Sequence, residues 1–405
     1  MPLIVAVCLT CLPMRKLTRF ELGLVGTLTM TVATFPLVVF GVLAADLIAE
    51  FDVDRWQIGI LVTAAAITGG LLSPAFGRIT DHWGGVRASG AALGIGLFTF
   101  SGIALAPTYL LLVAAALFSG IPQGWGNPAS NALIVENVDP GSRGVITGVK
   151  QSGVQVGTFL GGALLPLFAG LWGWRPAVLA FLVIPLVGLG SLWGRSSANP
   201  SPPPSNRAER PPVPAAVKWI AAYGAVTGLA TSAAFTFLPL FVQEAQGWSA
   251  ATAGWLLAGI GLIGVASRIA WGPIAERRLG HGRVLLILSI ESTVAALILA
   301  WAARSPVSPW LLIFAALLFG IGAVAWNSVG MLAVMDLSPE GGVGRGTGVV
   351  LLGFLLGFGL GAPLMGLSVD ALGTYLPGWL VVASLFASGS VMAGRVRDAS
   401  TLTHS

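Results

Sequence analysis

The sequence predicts an all-α membrane protein with twelve transmembrane helices, arranged as two pseudo-symmetric six-helix bundles. Three observations predict it. Of 405 residues, 55% are hydrophobic and only 9% are charged, far short of the roughly 25% charge carried by soluble domains. Twelve apolar stretches reach the ~20 residues that a helix needs to cross the hydrocarbon core. The second half of the chain also repeats the pattern of the first. Composition alone excludes a soluble enzyme, a nucleic-acid-binding module and a disordered chain, and a mean hydropathy of +0.87 agrees.

The spans fall at approximately 20–45, 56–77, 87–106, 109–133, 144–170, 174–194, 217–242, 249–272, 283–303, 309–335, 345–369 and 376–394. They are too long for barrel strands and lack alternation. Their Gly, Pro and Trp residues suit packed membrane helices and interfaces. The opening MPLIVAVCLTCLP is apolar but too short to span, and it lacks the basic segment and cleavage site of a signal peptide. Met14, followed by Arg15 and Lys16, offers a second ordinary start. Cys8 and Cys11 form a CxxC, but two ligands do not make a metal or redox site.

The 21 Lys and Arg residues orient the spans. With both termini cytoplasmic, all but Arg55, Arg175 and Arg304 lie on or close to the inner side, as the positive-inside rule requires. The basic pI near 9.8 therefore reports topology in a cell membrane and not a nucleic-acid partner.

Residues 195–216 form a Pro-rich polar linker. The expected organisation is a tail (1–19), a first bundle (20–194), this linker, a second bundle (217–394) and a tail (395–405), with the linker and both tails cytoplasmic. Duplication is visible in detail. Gly77, Asp81, Gly84 and Arg87 after span 2 match Gly272, Glu276, Gly280 and Arg283 after span 8, at offsets of 195 and 196. In spans 5 and 11, Gly148, Gly153, Gly157 and Gly161 match Gly348, Gly353, Gly357 and Gly361 at an offset of 200, which Asn127 and Asn327 share.

A six-plus-six repeat is an architecture of transporters. Gly77-Arg-Ile-Thr-Asp81-His82-Trp-Gly84-Gly-Val-Arg87 resembles the loop 2–3 signature of the major facilitator superfamily. Gly272-Pro-Ile-Ala-Glu276-Arg277-Arg278-Leu-Gly280-His-Gly-Arg283 resembles its loop 8–9 copy. Pro140 to Gly153 and the Trp172-Gly-Trp174-Arg175 segment are similar to further pieces of such carriers. The resemblance covers all twelve spans and implies a secondary transporter in which spans 1, 4, 7 and 10 surround a central cavity. It also implies conformational latches at Gly77, Asp81 and Arg87, and at Gly272, Glu276, Arg277 and Arg283. His82 stands where an Arg is usual.

Polar residues point to the site. Gln123, Asn127 and Asn131 recur every four residues on one face of span 4, and Asn327 adds span 10. Thr27, Thr31 and Thr34 on span 1, with Tyr223, Thr227 and Thr231 on span 7, form further stripes that either line the cavity or pack between helices. Lys150 lies about 10 Å past Arg143 at 1.5 Å per residue, flanked by Gln151 and Gln155. It either faces an anionic substrate or snorkels to the interface; its repeat partner is Val350. Glu291 in span 9 is a candidate proton relay or a hydrogen-bonding group within its bundle.

Nothing suggests an enzyme: there is no metal spacing, nucleophile elbow or P-loop. No cofactor is expected, and coupling to a proton or other ion gradient supplies the energy. The expected substrate is a small organic or inorganic anion or polar metabolite, carried by a monomeric unit in the lipid bilayer. Proton-coupled efflux of hydrophobic drugs is the alternative. Against it, Thr158 replaces the span-5 Pro of drug–proton antiporters, and span 4 lacks their Arg. A non-transporting membrane sensor is a further alternative, but no extra signalling domain accompanies the spans.

Overall fold

The computed structural model describes residues 17–138, 143–195, 213–337 and 343–401. Cys8, Cys11 and nearly all of the Pro-rich linker lie outside them. Twelve helices are long and apolar enough to cross a membrane: Arg19–Val42, Arg55–Thr80, Gly85–Leu105, Tyr109–Asn137, Ile146–Trp172, Trp174–Leu192, Ala215–Gln246, Ala250–Leu279, His281–Ala302, Pro309–Val334, Gly346–Leu372 and Leu376–Asp398. They are spans 1 to 12. The side that holds residues 195 and 213 is called the linker face here, and the opposite side the distal face.

Local chemistry sets the ends. Span 1 starts in a capping box, where Glu21 N–H donates to Thr18 Oγ1 at 3.2 Å and Thr18 N–H donates to Glu21 Oε2 at 2.8 Å. The two matched loop glycines adopt one conformation, Gly84 at φ 78° and Gly280 at φ 79°, a region that side chains rarely enter. The duplicated turn therefore needs glycine in both copies. A carboxylate at the linker end of span 4, or just past span 10, lies beside each turn: Gly85 N–H donates to Glu136 Oε1 at 2.7 Å, and Asp336 Oδ2 lies 3.1 Å from His281 Nε2. Glu136 and Asp336 share the 200-residue offset, a signal present in the sequence but missed in the repeat reading.

The matched glycines of spans 5 and 11, apart from Gly148 and Gly348, are packing residues. A Cβ at Gly157 would stand 3.3 Å from Thr31 Cγ2, and one at Gly353 would stand 2.7 Å from the Ala221 carbonyl oxygen. Span 5 thus lies on span 1 and span 11 on span 7. The polar stripes of spans 1 and 7 serve the same packing. Thr27 and Thr31 hydroxyls donate to the carbonyls of Val149 and Gly153 at 3.0 and 2.8 Å. Tyr223 donates to the Leu285 carbonyl and accepts from Ser289. Thr31 and Tyr223 are buried between helices, so the cavity-facing alternative does not hold for them, whereas Thr27 is half-buried and lines a surface pocket with Gly23, Leu24 and Val149.

The two bundles meet along two seams. In one, spans 2 and 11 approach so closely that Gly59 faces the Pro363 backbone and Gly366 faces Trp56. In the other, Gly162 of span 5 faces Gly254 and Ala258 of span 8. Towards the linker face, Gly77, Gly148, Gly272 and Gly348 have nothing within 4 Å of where a Cβ would stand. One apolar core, including Phe35, Phe40, Phe100, Phe237, Phe241 and Trp379, runs through the first bundle and the distal part of the second. The linker-side part of the second bundle has a core of its own around Leu285, Trp326 and Val350. The apolar core therefore joins the bundles distally and is divided towards the linker face.

Candidate functional site

Lys150 is fully buried, at 0% exposure. Its stem fits beside span 1 because residue 26 is glycine; a Cβ there would lie 2.9 Å from Lys150 Cβ. The ammonium turns to span 4 and donates to Asn127 Oδ1 at 3.2 Å and Asn131 Oδ1 at 2.5 Å. Gln151 Nε2 approaches the same Asn127 oxygen at 3.5 Å. The side chain does not snorkel to the interface. Among the described residues, Lys150 forms no ion pair, so its charge is held by neutral dipoles only.

The structure therefore brings together Lys150, Asn127, Asn131 and Gln151. It leaves three other candidates apart from that cluster. Gln123 lies beside Gly69 of span 2. Asn327 is half-buried in the second bundle, just after span 10 unwinds between Ile321 and Trp326. Gln155 is buried, with Oε1 lacking a hydrogen-bond partner. Glu291 is half-buried, and its Oε2 lacks a partner too; the expected hydrogen bond within its bundle is not formed among the described residues.

The loop residues make few contacts. Arg87, Glu276, Arg277 and Arg283 are exposed, and among the described residues none takes part in a hydrogen bond or ion pair. The Asp81 side chain lies outside the described residues. Gly77 and Gly272 face open space.

Closure is at the distal face, through residues that sequence reasoning did not single out. Arg55 of span 2 grips Glu244 of span 7, with Nη2 to Oε1 at 2.9 Å and Nε to Oε2 at 3.1 Å. Its Nη1 reaches Asp370 of span 11 at 3.2 Å. Asp370 Oδ2 accepts from Trp56 N–H at 2.9 Å, and Tyr375 donates to Glu244 at 2.6 Å. One guanidinium thus ties the first bundle to two carboxylates of the second. Within the first bundle, Arg175 and Trp174 Nε1 both donate to Glu50, at 2.6 Å. These two donors hold the Glu50 carboxyl below its usual range, Trp174 contributing most.

No group of three or more metal-ligating side chains occurs among the described residues. The arrangement is a two-bundle frame with a polar, cationic patch between spans 4 and 5, tied at the distal face by Arg55.

Comparison with known proteins agrees with that arrangement. The family model of the Major Facilitator Superfamily matches residues 22–305 and 220–402. The chain is 28% identical over 370 residues to a 3-(3-hydroxy-phenyl)propionate transporter of Escherichia coli (strain K12), covering 87% of each. It is 27% identical over 376 residues to monocarboxylate transporter 13 of Bos taurus, covering 87% of this chain and 83% of that one. Among solved structures, a bacterial homolog to the human lysosomal transporter Spinster, in an inward-facing and occupied conformation, superposes with a TM-score of 0.72 at 17% identity, covering 95% of this chain and 96% of that one. The chain belongs to the major facilitator superfamily and is a multi-pass membrane transporter of small solutes, not an enzyme.

Proposed function

We propose that the chain carries a small organic or inorganic anion, or a comparably small polar metabolite, by rocking its two bundles about a central site. The observation that carries this reading is Lys150, a buried ammonium held by two asparagine oxygens and by no carboxylate among the described residues. A charge inside a membrane protein is costly unless it is used, and a passing anion would supply the missing counter-charge. Gln123, Gln151, Gln155 and Asn327 would complete the polar lining with Asn127 and Asn131. The names of the two full-length relatives, a phenylpropionate carrier and a monocarboxylate transporter, support an anionic substrate.

In this reading the unit is a monomer in the cell membrane, with both termini and the linker in the cytoplasm. An opening at the linker face is then the inward-open state. Gly77, Asp81 and Arg87, with Gly272, Glu276, Arg277 and Arg283, would engage when the bundles rock the other way. Gradient energy drives the cycle, and Glu291 is a proton-relay candidate.

Reconstitution in vesicles with a panel of anions, neutral polar solutes and a hydrophobic cation, with and without a pH gradient, tests the reading. Anion uptake that depends on Lys150 is expected, with Lys150→Ala lowering it at least tenfold. Equal flux at unchanged affinity would remove Lys150 from the account, and export of the hydrophobic cation alone would replace the reading with drug efflux.

A further inference from the structure

A groove of about 660 Å³ runs along the linker end of span 1. Phe20, Leu24 and Thr27, at helical spacing, form one wall, Ile146 and Val149 of span 5 form the other, and Arg19 stands at the end where span 1 begins. The groove lies outside the polar cluster described above. Span 4 meets span 1 at Thr29 and Ala33, which Gly126 faces, and at 3.6 residues per turn the groove residues lie nearly opposite. Their face is open: Phe20 is 79% exposed, and Val149 is exposed as well. From Arg19 to Thr27 the groove rises about 12 Å at 1.5 Å per residue. That distance takes it from the headgroup level into the upper acyl chains of a bilayer.

Three observations fit this groove to a charged lipid. Its walls suit an acyl chain and not a polar solute, because the Thr27 hydroxyl is already given to the Val149 carbonyl at 3.0 Å. The charge at its mouth is unbalanced: Arg19 is exposed and forms no ion pair among the described residues, while nearby Glu21 is engaged by Thr18 and Arg195. A guanidinium at headgroup level is suited to a phosphate. The molecule also supplies an internal contrast. A second apolar groove, of about 500 Å³ between spans 8 and 10, is lined by residues such as Trp248, Trp255 and Ile313, with no Lys or Arg. Nor does the fold require the first groove. Pairing Pro36 with Pro239 sets Ala222 against Arg19 and Tyr223 against Phe20, and Tyr223 is buried.

We propose that this groove binds an anionic phospholipid of the leaflet at the linker face. Its phosphate rests on Arg19, and one acyl chain lies over Gly23 between the walls of spans 1 and 5. Glycine keeps the slot open, since a Cβ at residue 23 would already stand 3.3 Å from Val149 Cγ1. Val149 belongs to the short helix Arg143–Gln151, which ends at the break at Ser152. The next residue, Lys150, reaches across to Asn127 and Asn131 of span 4. A chain packed on Val149 therefore steadies the piece of span 5 that carries the buried lysine. The lipid is recognised whatever solute the protein carries.

The test is native mass spectrometry of the purified full-length protein in detergent, titrated with dioleoylphosphatidylglycerol or with dioleoylphosphatidylcholine. The wild type should hold one phosphatidylglycerol about fivefold more tightly than phosphatidylcholine. Arg19→Gln should remove that preference. Lys218→Gln, which takes an equal charge from the start of span 7, should keep it. Gly23→Leu fills the slot and should weaken both lipids about equally; Leu24→Trp narrows the same slot and serves if Gly23→Leu does not fold. Equal retention of the two lipids by the wild type overturns the proposal, as does an equal loss in Arg19→Gln and Lys218→Gln, which would mean diffuse attraction to the whole basic face. Unaltered binding in the slot variants overturns it as well. A benzophenone side chain placed at residue 24 should capture the lipid on illumination, and capture of the chain's own residues in its place would show that the protein itself fills the groove.

Discussion

The two seams between the bundles are built from the same repeat, yet their charges fall at different depths. The seam of spans 2 and 11 is tied at its distal end by Arg55 with Asp370, and with Glu244 of span 7. At the matching positions of the other seam stand Ala250 for Arg55 and Gly170 for Asp370. Spans 5 and 8 reverse the pattern, with Lys150 turned to span 4 and Arg268 on the Gln151 carbonyl, both deeper in, and Val350 and Ser73 as their counterparts. What the seams share is glycine: Gly59 and Gly254 correspond at an offset of 195, and each lets backbone meet backbone. Duplication thus preserved the packing and let the charges diverge between the two copies.

The comparison can be broken first at its shared element. Gly59→Leu and Gly254→Leu would each drive a side chain into the facing backbone, which has no rotamer to move aside. Overpacking of this kind costs about 1–3 kcal/mol or more, so initial uptake rates in vesicles should fall at least tenfold for both. Tolerance of leucine in one seam alone would show that only the other holds the bundles.

A smaller effect is expected at the distal tie. Arg55→Gln leaves two carboxylates facing each other and should favour opening of the distal face. The cluster is about one-third exposed at Arg55 and Glu244, so solvent screens the gain. Thr63 lies deeper in the same seam, where its hydroxyl donates to the Gly359 carbonyl; labelling of Thr63→Cys by an impermeant maleimide should rise roughly tenfold, and exchanging the charges with Arg55→Glu and Glu244→Arg should reverse most of that rise. Unchanged labelling in Arg55→Gln would mean that the tie carries no conformational energy.

Smaller still is the pair of carboxylates that brace the matched loops. Glu136→Gln weakens a charge-assisted cap on Gly85 and should cost about 1 kcal/mol, read as a fall in melting temperature of a few degrees. Asp336→Asn, whose partner is a histidine side chain, should cost less. The reverse order would show that the second copy is the stronger brace.

The least effect belongs to Glu50, in the distal clamp of the first bundle. Its folded carboxyl is held below the usual range by Trp174 and Arg175. That contribution is therefore complete above the ordinary carboxyl value of 4.5 and is lost as pH falls below it. Melting temperature measured from pH 7 down through pH 4 should drop slightly more for the wild type than for Glu50→Gln. Parallel curves would remove the clamp from the acid response.

How much of this was legible beforehand follows from the kind of interaction. The twelve spans and the repeat were readable because hydrophobic length and glycine spacing are local properties of the chain. Lys150 with Asn127 and Asn131 was readable because the four-residue period puts the asparagines on one face, and Lys150 stood out as a charge without a repeat counterpart. The Arg55 tie was not readable, since Arg55, Glu244 and Asp370 are distant in sequence and each sits at the end of a span, where charges are ordinary. Arg268 was counted only as one of many inner-side bases, although its partner Ser73 in the repeat already marked it as unmatched. The threonine and tyrosine stripes had the right period for a cavity face, but helix periodicity does not say which neighbour the face meets.

The divided apolar core also has a cost in free energy. To face the other way, the molecule must prise apart side chains such as Phe40 and Phe237 at the distal end and bury others towards the linker face. At about 25 cal/mol per Å², an imbalance of only ~100 Å² between what is uncovered and what is covered amounts to ~2.5 kcal/mol, enough to strand nearly every copy in one orientation. Residues that never touch a solute are therefore under selection for matched area. A conservative trim in the shared core would appear as a shifted resting state before it appeared as a loss of fold.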